Sequence, residues 1–266
     1  DLPPKDYDKW NALIKAWVSH SIQKYGKTEV ESWPWEVWNE PNISYFHGKL
    51  PDYCTLYDNT ANALKSVDPN IKIGGPESTG PGGSATAFLK GFLDHVAAEK
   101  VPLDIVTFHA KGSPTYVNNH VRMGVSNQLR NIDAGFQIVA SYPQFKSLPI
   151  IIGESDPDGC AACAGPAYPQ NGYRNGALFA SYTAEQIART FQLADKHAVN
   201  IKGAVTWAFQ FEDQPMFAGF RALATNGVEL PVINTFRMLG KMIAPDAQRI
   251  ATPSSADPGL EALRTT

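Results

Sequence analysis

The chain has 266 residues, of which 43% are hydrophobic, 11% aromatic and 18% charged, with a formal net charge of −3. That is enough apolar material to bury a sizeable core in one or two domains, and the near-neutral charge without basic clusters argues against a nucleic-acid or anionic-membrane partner. No run of about 18 apolar residues occurs, so no membrane-spanning helix is expected.

The N-terminus, Asp1-Leu2-Pro3-Pro4, shows no signal peptide and leads straight into a helix from Asp6 to Tyr25. Trp10, Leu13, Ile14, Trp17, Val18 and Ile22 recur there at spacings of three and four, and Gly26 stops it. Trp35 to Glu40 reads as a short strand ended by Pro41. A helix follows from Asp52 to Val67, then a strand from Ile71 to Pro76. Ser84 is placed to cap a helix in which Phe88, Phe92 and Val96 share a face. Leu103 to His109 is a strand, Val125 to Ser141 a helix, and Pro149 to Glu154 an almost continuously apolar strand of the kind covered on both faces. A Gly/Pro/Cys-rich loop spans Ser155 to Ser181. A helix from Ala184 to Ala198, a strand from Ile201 to Phe209 and a helix from Val232 to Ile243 complete the series.

Strand and helix alternate throughout, which predicts an α/β fold with a parallel sheet of five strands. A closed (β/α)₈ barrel needs eight. Residues 1–245 are expected to form the partial barrel, and 246–266, rich in Pro, Ser and Gly, to open an accessory β module or a tail. The three cysteines, Cys54, Cys160 and Cys163, make no disulfide framework. Cys160 and Cys163, three apart, are a loop disulfide, a pair of free thiols, a redox pair or half of a metal site; zinc needs about four ligands and no second pair exists. No cofactor is implied.

Polar and aromatic residues that normally avoid strands sit where these strands end: Asn39 and Glu40, Glu77, His109 and Lys111, Glu154, then Trp207, Glu212 and Asp213. In a (β/α)₈ barrel that rim carries the active site. Each alone has a plainer reading. Asn39 could form a turn before Pro41, His109 could be a satisfied core histidine, Trp207 could be core packing, and Lys111 could pair with a rim carboxylate. Glycosidic bond cleavage needs two carboxyl groups, one protonated and one ionised, and Glu40 and Glu154 fit by position. Phe46, His47 and Phe217 are weaker rim candidates, and Glu77 reads as a loop residue.

Trp38-Asn39-Glu40-Pro41-Asn42 resembles the Asn-Glu-Pro signature of the large clan of (β/α)₈ glycosidases, and Ile152-Gly153-Glu154 resembles its nucleophile strand. Thr107 to Gly112, Glu154 to Gly159, Thr206 to Phe209 and Phe217 to Arg221 extend the likeness to glycoside hydrolase family 39, which contains β-D-xylosidases and α-L-iduronidases. The resemblance implies strands four to eight of the barrel. It implies Glu40 as acid/base and Glu154 as nucleophile of a retaining exo-glycosidase, with Asn39 on the sugar 2-hydroxyl, His109 lining the sugar site and Trp207 as a stacking floor. The substrate it implies is a xylo-oligosaccharide or other small glycoside; a β-D-xyloside is favoured over a uronic-acid glycoside, whose carboxylate Lys111 would meet, and over an arabinopyranoside. The same registration implies that three βα units and most of a β-sandwich are missing. The expected consequences are unpaired apolar edges prone to self-association, and an alternative in which the chain is an inactive carbohydrate-binding remnant.

Overall fold

The computed structural model describes residues 1–208, 213–243 and 247–248. The chain forms two compact units: Asp1–Ala110 with Asn131–Gly153 and Ala194–Val205, and Lys111–Arg130 with Glu154–Leu193 and Thr206–Thr266.

The first unit is built on a parallel sheet of five strands, as expected: β1 (Pro34–Glu36), β2 (Lys72–Ser78), β3 (Ile105–Lys111), β6 (Pro149–Asp156) and β7 (Asn200–Ala204), hydrogen-bonded in that order. Helix α1 (Tyr7–Tyr25) is capped by the Asp6 carboxylate, which accepts from Lys9 N at 3.1 Å, and ends at Gly26, whose φ of +89° suits glycine. Of the apolar stripe expected to face the core, Ile14 and Val18 are buried, but Leu13 and Trp17 are exposed. Helix α2 (Lys27–Ser32) follows, and then α3 (Leu50–Val67), which starts two residues before the expected Asp52 because Pro51 fits the first turn and Asp52 closes a capping box on Lys49 N at 2.7 Å. Trp10 Nε1 donates to Thr60 Oγ1 at 2.9 Å, joining α1 to α3. Helix α4 (Thr86–Glu99) buries Leu89, Phe92, Leu93 and Val96. Its N-cap is Ala85, so Ser84 does not cap it, contrary to expectation.

The second unit holds elements the sequence did not announce. The hairpin β4 (Thr115–Val117) and β5 (His120–Arg122) turns through Asn118 and Asn119, both at positive φ, a conformation Asn tolerates. A 3₁₀ helix, Pro169–Asn175, lies inside the segment expected to be loop. Helix α6 (Ala177–His197) begins before the expected Ala184, because Phe179 and Tyr182 are buried in this unit rather than belonging to a surface loop. A short hairpin, β8 (Ala224–Thr225) and β9 (Val228–Glu229), precedes α7 (Val232–Met242). Tyr173, Phe179, Ala222, Leu230 and Val232 form the core here. Helix α5 spans Val125–Ala140. The strand end expected at Phe209, together with Glu212 and the tail from 249 onward, lies outside the described residues.

Candidate active site

Within the first unit the backbone bends sharply just past β1 and again near the end of β2. Trp38, Glu40 and Glu77 adopt positive φ of 71°, 47° and 50°. Non-glycine residues in that region are uncommon, and for a ring as large as Trp38 the conformation is costly enough to need support. The support is visible. Glu40 N donates to Glu77 O at 3.0 Å. Asn42 donates to Thr79 Oγ1 at 2.6 Å and accepts from Thr79 N at 2.9 Å. Glu77 sits where the β2–β3 register shifts, so the irregularity re-aims its side chain.

These bends deliver a linked set of side chains. His109 is buried, with Nδ1 2.7 Å from Glu40 Oε1 and Nε2 2.9 Å from Glu77 Oε1. Its burial matches the core-histidine reading, and its contact with Glu40 matches the site reading as well. Thr107, two residues earlier on the same face of β3, accepts from Glu77 N at 3.1 Å. Glu36 completes the group. Crowding by surrounding protein pushes its carboxyl up to about 8, and the nearby Glu77 carboxylate adds to this. A hydrogen bond from Thr107 pulls it down, and since Glu36 also opens to water, solvent screens the shift. Asn39 is exposed at the rim. Phe46 is not: it is 3% exposed, with its ring edge-on to Trp38 at 5.4 Å and to Tyr53 at 6.2 Å. Its work is to hold the loop beneath Trp38 and not to meet a ligand at the rim. His47 is exposed, and its backbone N–H donates to Asp1 O at 2.7 Å.

The second unit assembles a different set. Lys111 Nζ lies 2.6 Å from Glu154 Oε2 and also bonds Asp156, which is fully buried. Asp156 Oδ1 in turn accepts from Thr206 Oγ1 at 2.7 Å and from Trp207 N at 3.0 Å. The Trp207 ring centroid is 5.6 Å from Lys111 Nζ. The salt-bridge reading of Lys111 is therefore the one the geometry displays. Arg221, also fully buried, donates to Trp207 O at 2.9 Å and to Asp158 O at 2.6 Å. Asp213 is exposed at a positive φ of 55°, and the Phe217 ring is exposed, with the Phe217 carbonyl held by Asn175. Glu212 lies outside the described residues.

Below this set, the long loop after Glu154 is pinned from within. Cys160 and Cys163 are joined by a disulfide, which removes the metal half-site and free-thiol readings. Arg174 is fully buried and donates to Asp158 Oδ1 at 2.8 Å and to the carbonyls of Cys160, Ala161, Cys163 and Gly219 at 2.6–3.1 Å. Burial pushes the Asp158 carboxyl up, but the Arg221 and Arg174 guanidiniums beside it, with the Tyr173 hydroxyl, outweigh this and leave it below its ordinary value. A depressed folded pKa gives stability that is complete above the unfolded value and is lost as pH falls through the folded one. Denaturant unfolding is thus expected to be flat from pH 7 to 5 and to weaken below about pH 4, with Asp158→Asn making that acid step smaller. An acid step unchanged in Asp158→Asn would remove Asp158 as a contributor to it.

Glu36, Glu77, Asp156, Asp158, Arg174 and Arg221 carry these networks, and none was singled out from sequence as a site residue. The one usable signal was the position of Glu77 and Asp156 at strand ends, beside residues already chosen.

The profile of glycosyl hydrolases family 39 matches residues 2–257. A β-xylosidase of Geobacillus stearothermophilus is 46% identical over 110 residues, covering 41% of this chain and 21% of that protein. A human α-L-iduronidase is 24% identical over 161 residues, 56% of this chain and 23% of that protein. The crystal structure of a monomeric β-xylosidase from Caulobacter crescentus CB15 superimposes with a TM-score of 0.73 at 25% identity, covering 91% of this chain and 48% of that one. The chain thus spans about half the length of that solved structure, and the aligned stretches cover about a fifth of the curated relatives. The fold is that of a (β/α)₈ glycosidase, represented by five parallel strands among the described residues.

Proposed function

Since the chain belongs to family 39 of the glycosyl hydrolases, we propose that it acts as a retaining exo-glycosidase that removes β-D-xylosyl residues from the non-reducing end of xylo-oligosaccharides or related small glycosides. Glu154 attacks the anomeric carbon and forms the glycosyl-enzyme; Glu40 protonates the leaving oxygen and then takes a proton from the incoming water. Asn39 holds the sugar 2-hydroxyl, and the Trp207 ring offers a face to the sugar's C–H surface.

The observation that carries this reading is the contrast in partners. Glu154 faces the Lys111 ammonium at 2.6 Å, as suits a group that must be ionised. Glu40 instead meets the His109 imidazole at 2.7 Å, a partner that can accept or donate and so suits a group that must gain and lose a proton. The sugar assignment rests on Lys111 as well. Its ammonium is engaged by Glu154 and Asp156, which supports a neutral xyloside over a uronic acid.

The test is hydrolysis of p-nitrophenyl β-D-xyloside beside 4-methylumbelliferyl α-L-iduronide, with NMR of the first-formed xylose anomer. Xyloside turnover releasing β-xylose first is expected, with Glu40→Gln reducing it by about 10²–10⁴-fold. Iduronide turnover alone would move the substrate to the uronic acid. Initial α-xylose would overturn retention. Folded protein inert toward both would favour a carbohydrate-binding remnant.

A further inference from the structure

His109 touches two carboxylates at once, and an imidazole between two acceptors must settle where its proton sits. Glu40 Oε1 is at Nδ1 and Glu77 Oε1 at Nε2. If the proton were on Nδ1, His109 would donate to Glu40 and favour the carboxylate there. Glu40 would then have no proton to give. If the proton is on Nε2, Nδ1 is a lone pair, and Glu40 can hold its own proton and donate it to the ring until substrate takes it.

The fold commits resources to the second arrangement. Glu77 is 4% exposed, is bent into place at a φ of +50° and donates its backbone N–H to Thr107. Its Oε2 is buried without a hydrogen-bond partner of normal geometry among the described residues, and Glu36 stands beside the carboxylate, so the contact of Oε1 with His109 is a main one that orients it. The neighbouring strand leaves room for it: a Cβ added to Gly153 would overlap Glu77 Oε1. An inward-facing carboxylate with one unsatisfied oxygen is expensive, and a structural role for it would be met more cheaply by an apolar side chain.

We infer that Glu77 is a positioning residue for the acid/base: its carboxylate accepts the Nε2–H of His109, turns the Nδ1 lone pair toward Glu40, and so orients the Glu40 carboxyl whose proton the leaving oxygen will take. This rests on the reading of Glu40 given above. Protons balance. Glu40 gives one to the glycosidic oxygen as the C–O electron pair leaves with it, and Glu40 recovers one from the water that opens the glycosyl-enzyme. His109 and Glu77 end as they began. The charged and titratable groups facing Glu77 among the described residues include Glu36 from β1, His109 from β3 and Tyr53 from α3, with the Thr107 hydroxyl beside them.

The experiment is ¹⁵N NMR of histidine-labelled protein, followed by kinetics. His109 is expected to carry its proton on Nε2 in the unsubstituted chain and to shift it to Nδ1 in Glu77→Leu, where Nε2 has lost its acceptor. Gly153→Ala, which displaces the same carboxylate from another residue, is expected to produce the same shift and keeps the idea testable should Glu77→Leu fail to fold. A proton on Nδ1 in the unsubstituted protein, whether as the other neutral tautomer or as an imidazolium protonated on both nitrogens, overturns the inference, as does a proton on Nε2 in both variants. In kinetics, kcat/KM for xylobiose is expected to fall by about 10²-fold or more in Glu77→Leu. For 2,4-dinitrophenyl β-xyloside, whose leaving group needs no proton, kcat/KM should be nearly unchanged. Equal losses on both substrates would mark Glu77 as merely structural. Glu40→Gln serves as the reference: if it lacks this dependence on the leaving group, the acid assignment of Glu40 falls, while the tautomer measurement still decides Glu77.

Discussion

Glu154→Ala is expected to lower turnover of an aryl β-xyloside by at least roughly 10⁴-fold, the scale seen when an enzyme loses the atom that forms its covalent intermediate. The loss should be chemical and not conformational. Lys111, deprived of Glu154, keeps its ion pair with the buried Asp156, and Asp156 keeps Thr206 and the Trp207 backbone. The thermal midpoint should therefore move little. Azide should restore part of the lost rate by filling the space the carboxylate vacated. Its product should be the α-xylosyl azide, with aryloxide expelled in one inverting displacement. Were Glu154 the acid/base instead, the glycosyl-enzyme would still form and azide would give the β product. A variant that keeps half its activity, or a β-azide, would move the nucleophile to another residue.

Arg174→Met is expected to cost about 3–5 kcal/mol, the usual penalty for removing one partner of a buried ion pair. The arginine side chain has no exposed surface, and its donors serve Asp158 and four backbone carbonyls. Methionine fills much of the volume but leaves those carbonyls without that donor, and the Ala161 and Gly219 bonds that are lost are buried. The drop should appear as a melting point lower by roughly 10 °C, and as proteolytic cutting between Asp158 and Gly176. Arg174→Lys should rescue little, since one ammonium cannot reach acceptors arranged around a planar fork. Full rescue by lysine would mean that charge alone matters, and the carbonyl contacts would lose their significance.

Those two predictions differ in how far the sequence could lead to them. Glu154 is named by its motif, because the apolar run from Pro149 to Ile152 reads as a strand, and Glu154 lies in that strand two residues before its end at Asp156. Arg174 has no such announcement. It sits in a segment read as loop, and its value comes from Asp158, Ala161 and Gly219, residues as far as 45 positions away. The helix that begins at Ala177 was placed too late for a related reason: Phe179 and Tyr182 have core partners that a local window does not see. The rejected Ser84 cap and the exposed Leu13 and Trp17 show the same limit, since a local pattern names a candidate and packing decides whether it is used.

By itself, the sequence determined the alternation of strands and helices and the parallel sheet of five strands, and it named Glu40 and Glu154 as candidates, because hydrophobic periodicity and short motifs are properties of neighbouring residues. Only the tertiary structure decided that His109 stands between Glu40 and Glu77, that Lys111 is held by Glu154 and Asp156, and that Phe46 is buried beneath Trp38. A carboxylate's partner depends on which atoms lie within about 3 Å of it, and the sheet register and the bends after β1 and within the end of β2 bring together residues that are far apart along the chain.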